Sequence, residues 1–167
     1  MSTTLPAAAL RGRDLYDRVL QELDREQTLG YDHKFWNQNS WRSLHPSQFS
    51  HYDQRAWNPG RGRNGTMMCF GALACDLAGG RWLVDVTDSG PTVNGKQLDL
   101  LHFRWADLEL LHAEPDDHPS HITTLYDHRV IDVEYRAHRL LQVKHLTPFY
   151  ERRDLDLLRA KRDEIYS

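Results

Sequence analysis

Four histidines in the chain are each followed, two residues on, by a hydroxyl side chain: His45-Pro46-Ser47, His118-Pro119-Ser120, His121-Ile122-Thr123 and His145-Leu146-Thr147. With ten His and 17 Ser or Thr among 167 residues, composition alone would give about one such pair. On a β-strand, residues i and i+2 face the same side. An imidazole so placed can exchange a proton near neutral pH while the hydroxyl beside it hydrogen-bonds a phosphate oxygen. His121 and Thr123 are accordingly the candidate catalytic pair, with His145 as the second histidine, returning a proton across the substrate. The plainer alternative makes them alternating residues on a sheet surface.

Residues 31–66 carry a different chemistry. The stretch has no period, yet it holds Tyr31, His33, Phe35, Trp36, Trp41, His45, Phe49, His51, Tyr52 and Trp57. From Lys34 to Thr66, five Lys or Arg meet one Asp, a local charge of +4 in a chain whose net charge is −3. Aromatic faces that stack a planar group, beside Arg forks that grip phosphate or carboxylate, suit an anionic or aromatic small molecule, a nucleotide or RNA, or an acidic protein surface. Asn58-Pro59-Gly60-Arg61-Gly62-Arg63-Asn64-Gly65-Thr66 adds glycines whose backbone N–H groups can approach an anion. Trp36, Trp41, His45, Tyr52, Arg55, Trp57, Arg61 and Arg63 are the candidate binding residues. The competing reading leaves Arg61 and Arg63 as solvated charges and the aromatics as filling between helix and sheet.

His121-Ile122-Thr123-Thr124-Leu125 resembles one half-motif of the 2H phosphoesterases, which carry two facing His-x-Thr/Ser strands. The resemblance spans five residues. It implies phosphoester chemistry run by two histidines, with His45 or His145 in the second half-motif.

Other chemistries have less in their favour. His112, His118 and His121 surround Asp116 and Asp117, but their spacing matches no metal motif, and a Pro-containing loop does not fix ligands. No metal and no cofactor are expected. Cys69 and Cys75 sit in the most apolar segment, where burial raises a thiol pKa and makes it inert. Asp85 and Asp88 could act as acid and base, although carboxylates at a strand end more often bind turns. Walker, dinucleotide-binding, nucleophile-elbow and His-Glu-x-x-His motifs are absent.

The elements that must position these residues follow from periodicity. Leu15, Val19 and Leu23, with Tyr16 and Leu20, predict a helix capped by Asp14 and stopped by Gly30. Short strands or turns are expected within 31–66, because a structureless loop of that length is uncommon. Met67–Leu77, Gly79-Gly80 and Trp82–Val86 read as a hairpin, and Asn94-Gly95 as a second tight turn. Leu101, Phe103 and Trp105 alternate as a half-buried strand that Leu108 and Leu110 continue or restart. Residues 114–119 must be a loop. Ile131, Val133 and Tyr135 predict another strand, returning through Leu141, Val143 and His145 after a turn at 136–139, and residues 151–166 a closing helix.

The expected whole is α+β: one domain over 1–167, with an irregular segment at 31–66 and a β-rich core at 67–147. That core is a curled, barrel-like antiparallel sheet flanked by an N-terminal and a C-terminal helix. At 40% hydrophobic and 27% charged residues the composition is globular. The near balance of charge gives no whole-molecule attraction to nucleic acid or acidic membrane. Met67–Cys75 is the longest run without polar side chains, at nine residues, against about 20 for a membrane span. Two buried thiols without a disulfide framework suggest a reducing, cytoplasmic setting. The chain is therefore expected to be a small soluble binding protein acting through residues 33–66. The alternative is a cofactor-free enzyme using His as general acid and base on a phosphoester, or as a lyase on a carboxylate-bearing substrate. Homodimer formation stays open.

Overall fold

A computed structural model describes residues 9–28, 42–44, 66–87, 90–99, 103–144 and 155–167. In chain order they form α1 (Gly12–Thr28), β1 (Arg42–Leu44), β2 (Thr66–Met68), α2 (Phe70–Leu77), β3 (Asp85–Thr87), β4 (Gly90–Val93), β5 (Lys96–Gln97), β6 (Leu110–His112), β7 (Ile122–Leu125), β8 (His128–Asp132), α3 (Val133–Leu141) and α4 (Leu155–Ile165). Helices and antiparallel strands make the fold α+β. The strands form three small sheets, β1-β2, β3-β4-β5 and β6-β8-β7, and none of these closes into a barrel.

α1 buries the face its spacing marks out: Leu15, Tyr16, Val19, Leu20 and Leu23 all lie in the core. The helix begins at Gly12, so Asp14 sits in its first turn and meets the positive end of the helix dipole rather than capping it. α4 packs against α1 and buries Leu155 and Leu158. The two are tied by the Tyr16 hydroxyl, which donates to the Leu158 carbonyl at 2.7 Å, and by Arg162 Nη1 to Asp17 Oδ1 at 2.9 Å. Phe70 of α2 completes this junction, its ring 4.5 Å from that of Tyr16.

β8 is the central strand of the β6-β8-β7 sheet. Val130 and Ile131 are consecutive and both buried, so they point to opposite faces of the sheet. Ile131 joins the helical core with Leu111, Leu73 and Leu140, whereas Val130 joins a second cluster with Leu83, Val86, Val93, Phe103 and Leu108. The sheet is thus covered on both sides. Its β6 edge is closed by the 81–83 segment, where Leu83 N–H donates to the Leu110 carbonyl and His112 N–H to the Arg81 carbonyl.

Four expectations fail, each for a local reason. Residues 70–77 are helix, not strand: a short all-apolar run has no period to tell the two apart, and its Ala and Leu favour helix. Gly79-Gly80 is the end of that helix rather than a hairpin turn. Gly79 takes φ +80°, its N–H donates to the Asp76 carbonyl and that of Gly80 to Cys75, the pair of bonds of a Schellman stop. The strand foreseen through Ile131, Val133 and Tyr135 ends at Asp132, whose carboxylate accepts from Glu134 N–H and starts α3. The turn at 136–139 consequently does not form, and no return strand is present over the described residues 141–144. Phe103 and Trp105 are not strand residues either, because 105–109 is a 3-10 turn and the strand starts at Leu110. Asn94-Gly95 does form the β4–β5 turn, with φ +50° and +75°.

Among the described residues no helix is long and apolar enough to cross a membrane. Cys69 and Cys75 are free, buried thiols at the start of α2 and within it. Burial pushes Cys69 up to about 12 and Cys75 higher still, so neither forms a thiolate near neutral pH.

Candidate functional site

The loop 113–118 is held to α3 by a network of charges. Arg136 is fully buried, and its guanidinium uses every edge: Nε donates to Asp117 Oδ1 at 2.9 Å, Nη2 to Asp117 Oδ2 and to the His112 carbonyl, and Nη1 to Glu114 Oε1 at 2.7 Å. Arg139, one turn on, donates to Asp117 Oδ1 at 3.2 Å and to Glu114 Oε2 at 2.8 Å. The Glu114 N–H closes the loop onto Asp117 Oδ2 at 2.7 Å. Forked, paired bonds of this kind fix geometry as well as charge.

Burial would raise the Asp117 pKa, but hydrogen bonds from Arg136 and the Glu114 backbone, with the charges of Arg136 and Arg139, outweigh it and hold the carboxyl below its usual value. His112 is also lowered, first by burial and then by Arg81 and His128. A pKa depressed on folding contributes stability that is lost as pH falls. Asp132, raised by burial, works in the opposite sense. Stability should therefore decline in two steps on acidification, a shallow one below about pH 6.5 from His112 and a steeper one below about pH 4 from Asp117. Urea midpoints measured from pH 8 to 3 check this, and Asp117→Asn should flatten the lower step.

On this rigid base lies an open cleft of about 450 Å³ between the Pro119–His121 turn and α3. Asp116, His118, His121, Tyr135, His138 and Arg139 contribute to its walls. The rings of His121 and Tyr135 stack with centroids 3.9 Å apart and planes inclined by 11°. His118 lies 5.4 Å from His121. Its Nδ1 accepts from the Ser120 backbone N–H at 3.3 Å, which leaves the neutral ring proton on Nε2. His138 is the converse: its Nδ1 is 3.1 Å from the Val143 carbonyl, which can only accept, so Nε2 of the neutral ring carries no proton, with Glu134 Oε1 3.9 Å away. The cleft thus holds one imidazole suited to donate and one suited to accept.

Of the residues singled out by sequence, His121 is at this cleft, at the end of the 3-10 turn and one residue before β7. Thr123 follows in β7, exposed and paired with Val130. His145 and the binding candidates Trp36, Trp41, His45, Tyr52, Arg55, Trp57, Arg61 and Arg63 lie outside the described residues. Asp85 is exposed in β3 opposite Thr92. Sequence reasoning missed Tyr135, Arg136, His138 and Arg139. Their signal was present as the i, i+3, i+4 spacing of 135, 138 and 139, visible only once 133–141 is a helix. Among the described residues no group of three or more His, Cys, Asp or Glu is arranged to hold a metal ion. Compared with known proteins, the chain matches no family model, no curated protein and no solved structure.

Proposed function

We propose that the protein is a binding protein whose cleft between the Pro119–His121 turn and α3 takes a planar aromatic ligand. The observation that carries this reading is the His121–Tyr135 stack, whose rings are already parallel and exposed to solvent. A further flat ring extends such a stack without rearrangement, and base–aromatic stacking is worth about 1–3 kcal/mol. Charge argues that the cleft itself selects the ring rather than a phosphate. Arg136 and Arg139 are offset by Glu114 and Asp117, and Asp116 adds a further negative charge 4.0 Å from Arg139.

Aromatic-detected NMR with adenosine, guanosine, cytidine and uridine, and with their monophosphates, tests the reading. Ring-current shifts at His121 and Tyr135 are expected, with at least a tenfold loss of affinity in Tyr135→Ala and retention in Tyr135→Phe. Unshifted His121 and Tyr135 signals with all eight ligands would refute it.

The second reading, acid–base catalysis, is favoured by the complementary neutral forms of His118 and His138. Turnover of 2′,3′-cyclic phosphates that fails in both His118→Ala and His138→Ala would support it; binding without turnover leaves the protein as a binding module.

A further inference from the structure

The tips of two hairpins meet on the other side of β8 from the helical core and enclose a second cavity of about 390 Å³, sharing no residue with the cleft at α3. Asn94 and Lys96 come from the β4–β5 hairpin, and Tyr126, Asp127 and His128 from the β7–β8 turn. Four described residues other than glycine have positive φ: Asn94, Tyr126, Asp127 and Gln142. Three of the four line this one cavity. Left-handed backbone at a tyrosine is unfavourable, and such conformations persist where the surroundings enforce them. Here the enforcing contact is visible, since the Tyr126 hydroxyl donates to Oδ2 of the fully buried Asp107 at 3.0 Å, and Arg104 holds the other oxygen at 2.9 Å. Asn94 Nδ2 meets His128 Nε2 at 2.7 Å and joins the two hairpins.

We infer that this cavity is a binding site for a neutral saccharide ring. The Tyr126 hydroxyl is engaged with Asp107, which does not line the cavity, and the residue stays 41% exposed, so what it offers a ligand is a fixed apolar ring face. The C–H face of a pyranose lies flat on such a surface. Around it stand an amide oxygen from Asn94, the Asp127 carboxylate and the Lys96 ammonium. Hydroxyl groups both donate and accept, and a mixed set of donors and acceptors satisfies them. One cation and one anion leave the wall without net charge, which gives an ionic ligand an unfavourable partner with every favourable one. The volume is in the range of small-molecule sites and holds one or two sugar rings.

The test is saturation-transfer NMR and calorimetry with glucose, galactose, mannose, N-acetylglucosamine, maltose and cellobiose, with glucuronate, glucosamine and phenylalanine as charged probes. At least one neutral sugar should bind with a Kd of about 1 mM, the scale set by its number of heavy atoms, and its ring C–H signals should move upfield under Tyr126. Asp127→Gly is the main variant, because glycine accepts the φ of +61° at that position while the carboxylate disappears. It should keep its melting temperature and lose affinity about tenfold. Asp127→Asn, which also tolerates this backbone, should lose affinity similarly, and Lys96→Met, which removes a donor from the wall, should also weaken binding of neutral sugars. Failure of every neutral sugar to bind, unchanged affinity in both Asp127 variants, or tighter binding of any charged probe than of all the neutral sugars would each overturn the inference.

Discussion

Replacing Arg136 with methionine lowers the unfolding free energy by about 3–5 kcal/mol, a large part of the roughly 5–15 kcal/mol that holds a domain folded. The size of the effect comes from what is left behind. Asp117, with no exposed side-chain surface, would lose two of its bonds and its main counter-charge. Glu114 and the His112 carbonyl would each lose a donor as well. Arg139 remains beside both carboxylates but approaches from the rim and cannot fill the buried fork. Lysine should rescue little, because an ammonium is a point charge and cannot serve Nε, Nη1 and Nη2 acceptors at once. The double variant Arg136→Met, Asp117→Asn should recover part of the loss, as neutral side chains then share the space. Urea unfolding followed by far-UV circular dichroism measures all three. A loss below about 1 kcal/mol in the single variant would mean that the network contributes no more than exposed ion pairs do.

Phe70→Ala is expected to cost a similar 3–5 kcal/mol, the range for removing a fully buried phenyl ring, and to lower the melting temperature by about 10 °C. Phe70 is completely buried where α1, α2 and α4 converge, against Tyr16 and near the hydroxyl bond to Leu158. The cavity would open at the junction of three helices, so little can collapse into it. Phe70→Leu keeps most of the volume and should lose clearly less. Thermal melts of the two variants side by side check this ordering, and equal losses would show that the ring's shape matters more than the space it fills.

The reasons why parts of this structure are legible in sequence are physical. In α1 a polar face sets off the apolar one, so Leu15, Val19 and Leu23 announce a helix before any packing is known. Asn94-Gly95 declares its turn because few residue pairs accept two positive φ values. α2 hides because six consecutive residues, Phe70 to Cys75, are all buried and leave no polar face to count from. α3 hides because the alternation of Ile131, Asp132, Val133, Glu134 and Tyr135 straddles a change from strand to helix at Asp132. With that change unseen, Arg136 and Arg139 fall in a turn, and Tyr135 and His138 have no common face. His121 could be picked out by residue type alone. Its ring partners could not, since their common face exists only when the chain has 3.6 residues per turn.

The bond from Tyr16 to Leu158 spans 142 residues of chain. During synthesis, at about 5–20 residues per second, α1 leaves the ribosome many seconds before the surface that seals it. Until then the part of α1 that α4 covers remains open to other apolar chains. Closing so large a loop carries an entropic cost that grows with the logarithm of its length and makes folding slower than a purely local helical bundle of the same stability. The interval between the two helices is the time in which a chaperone can act on this chain.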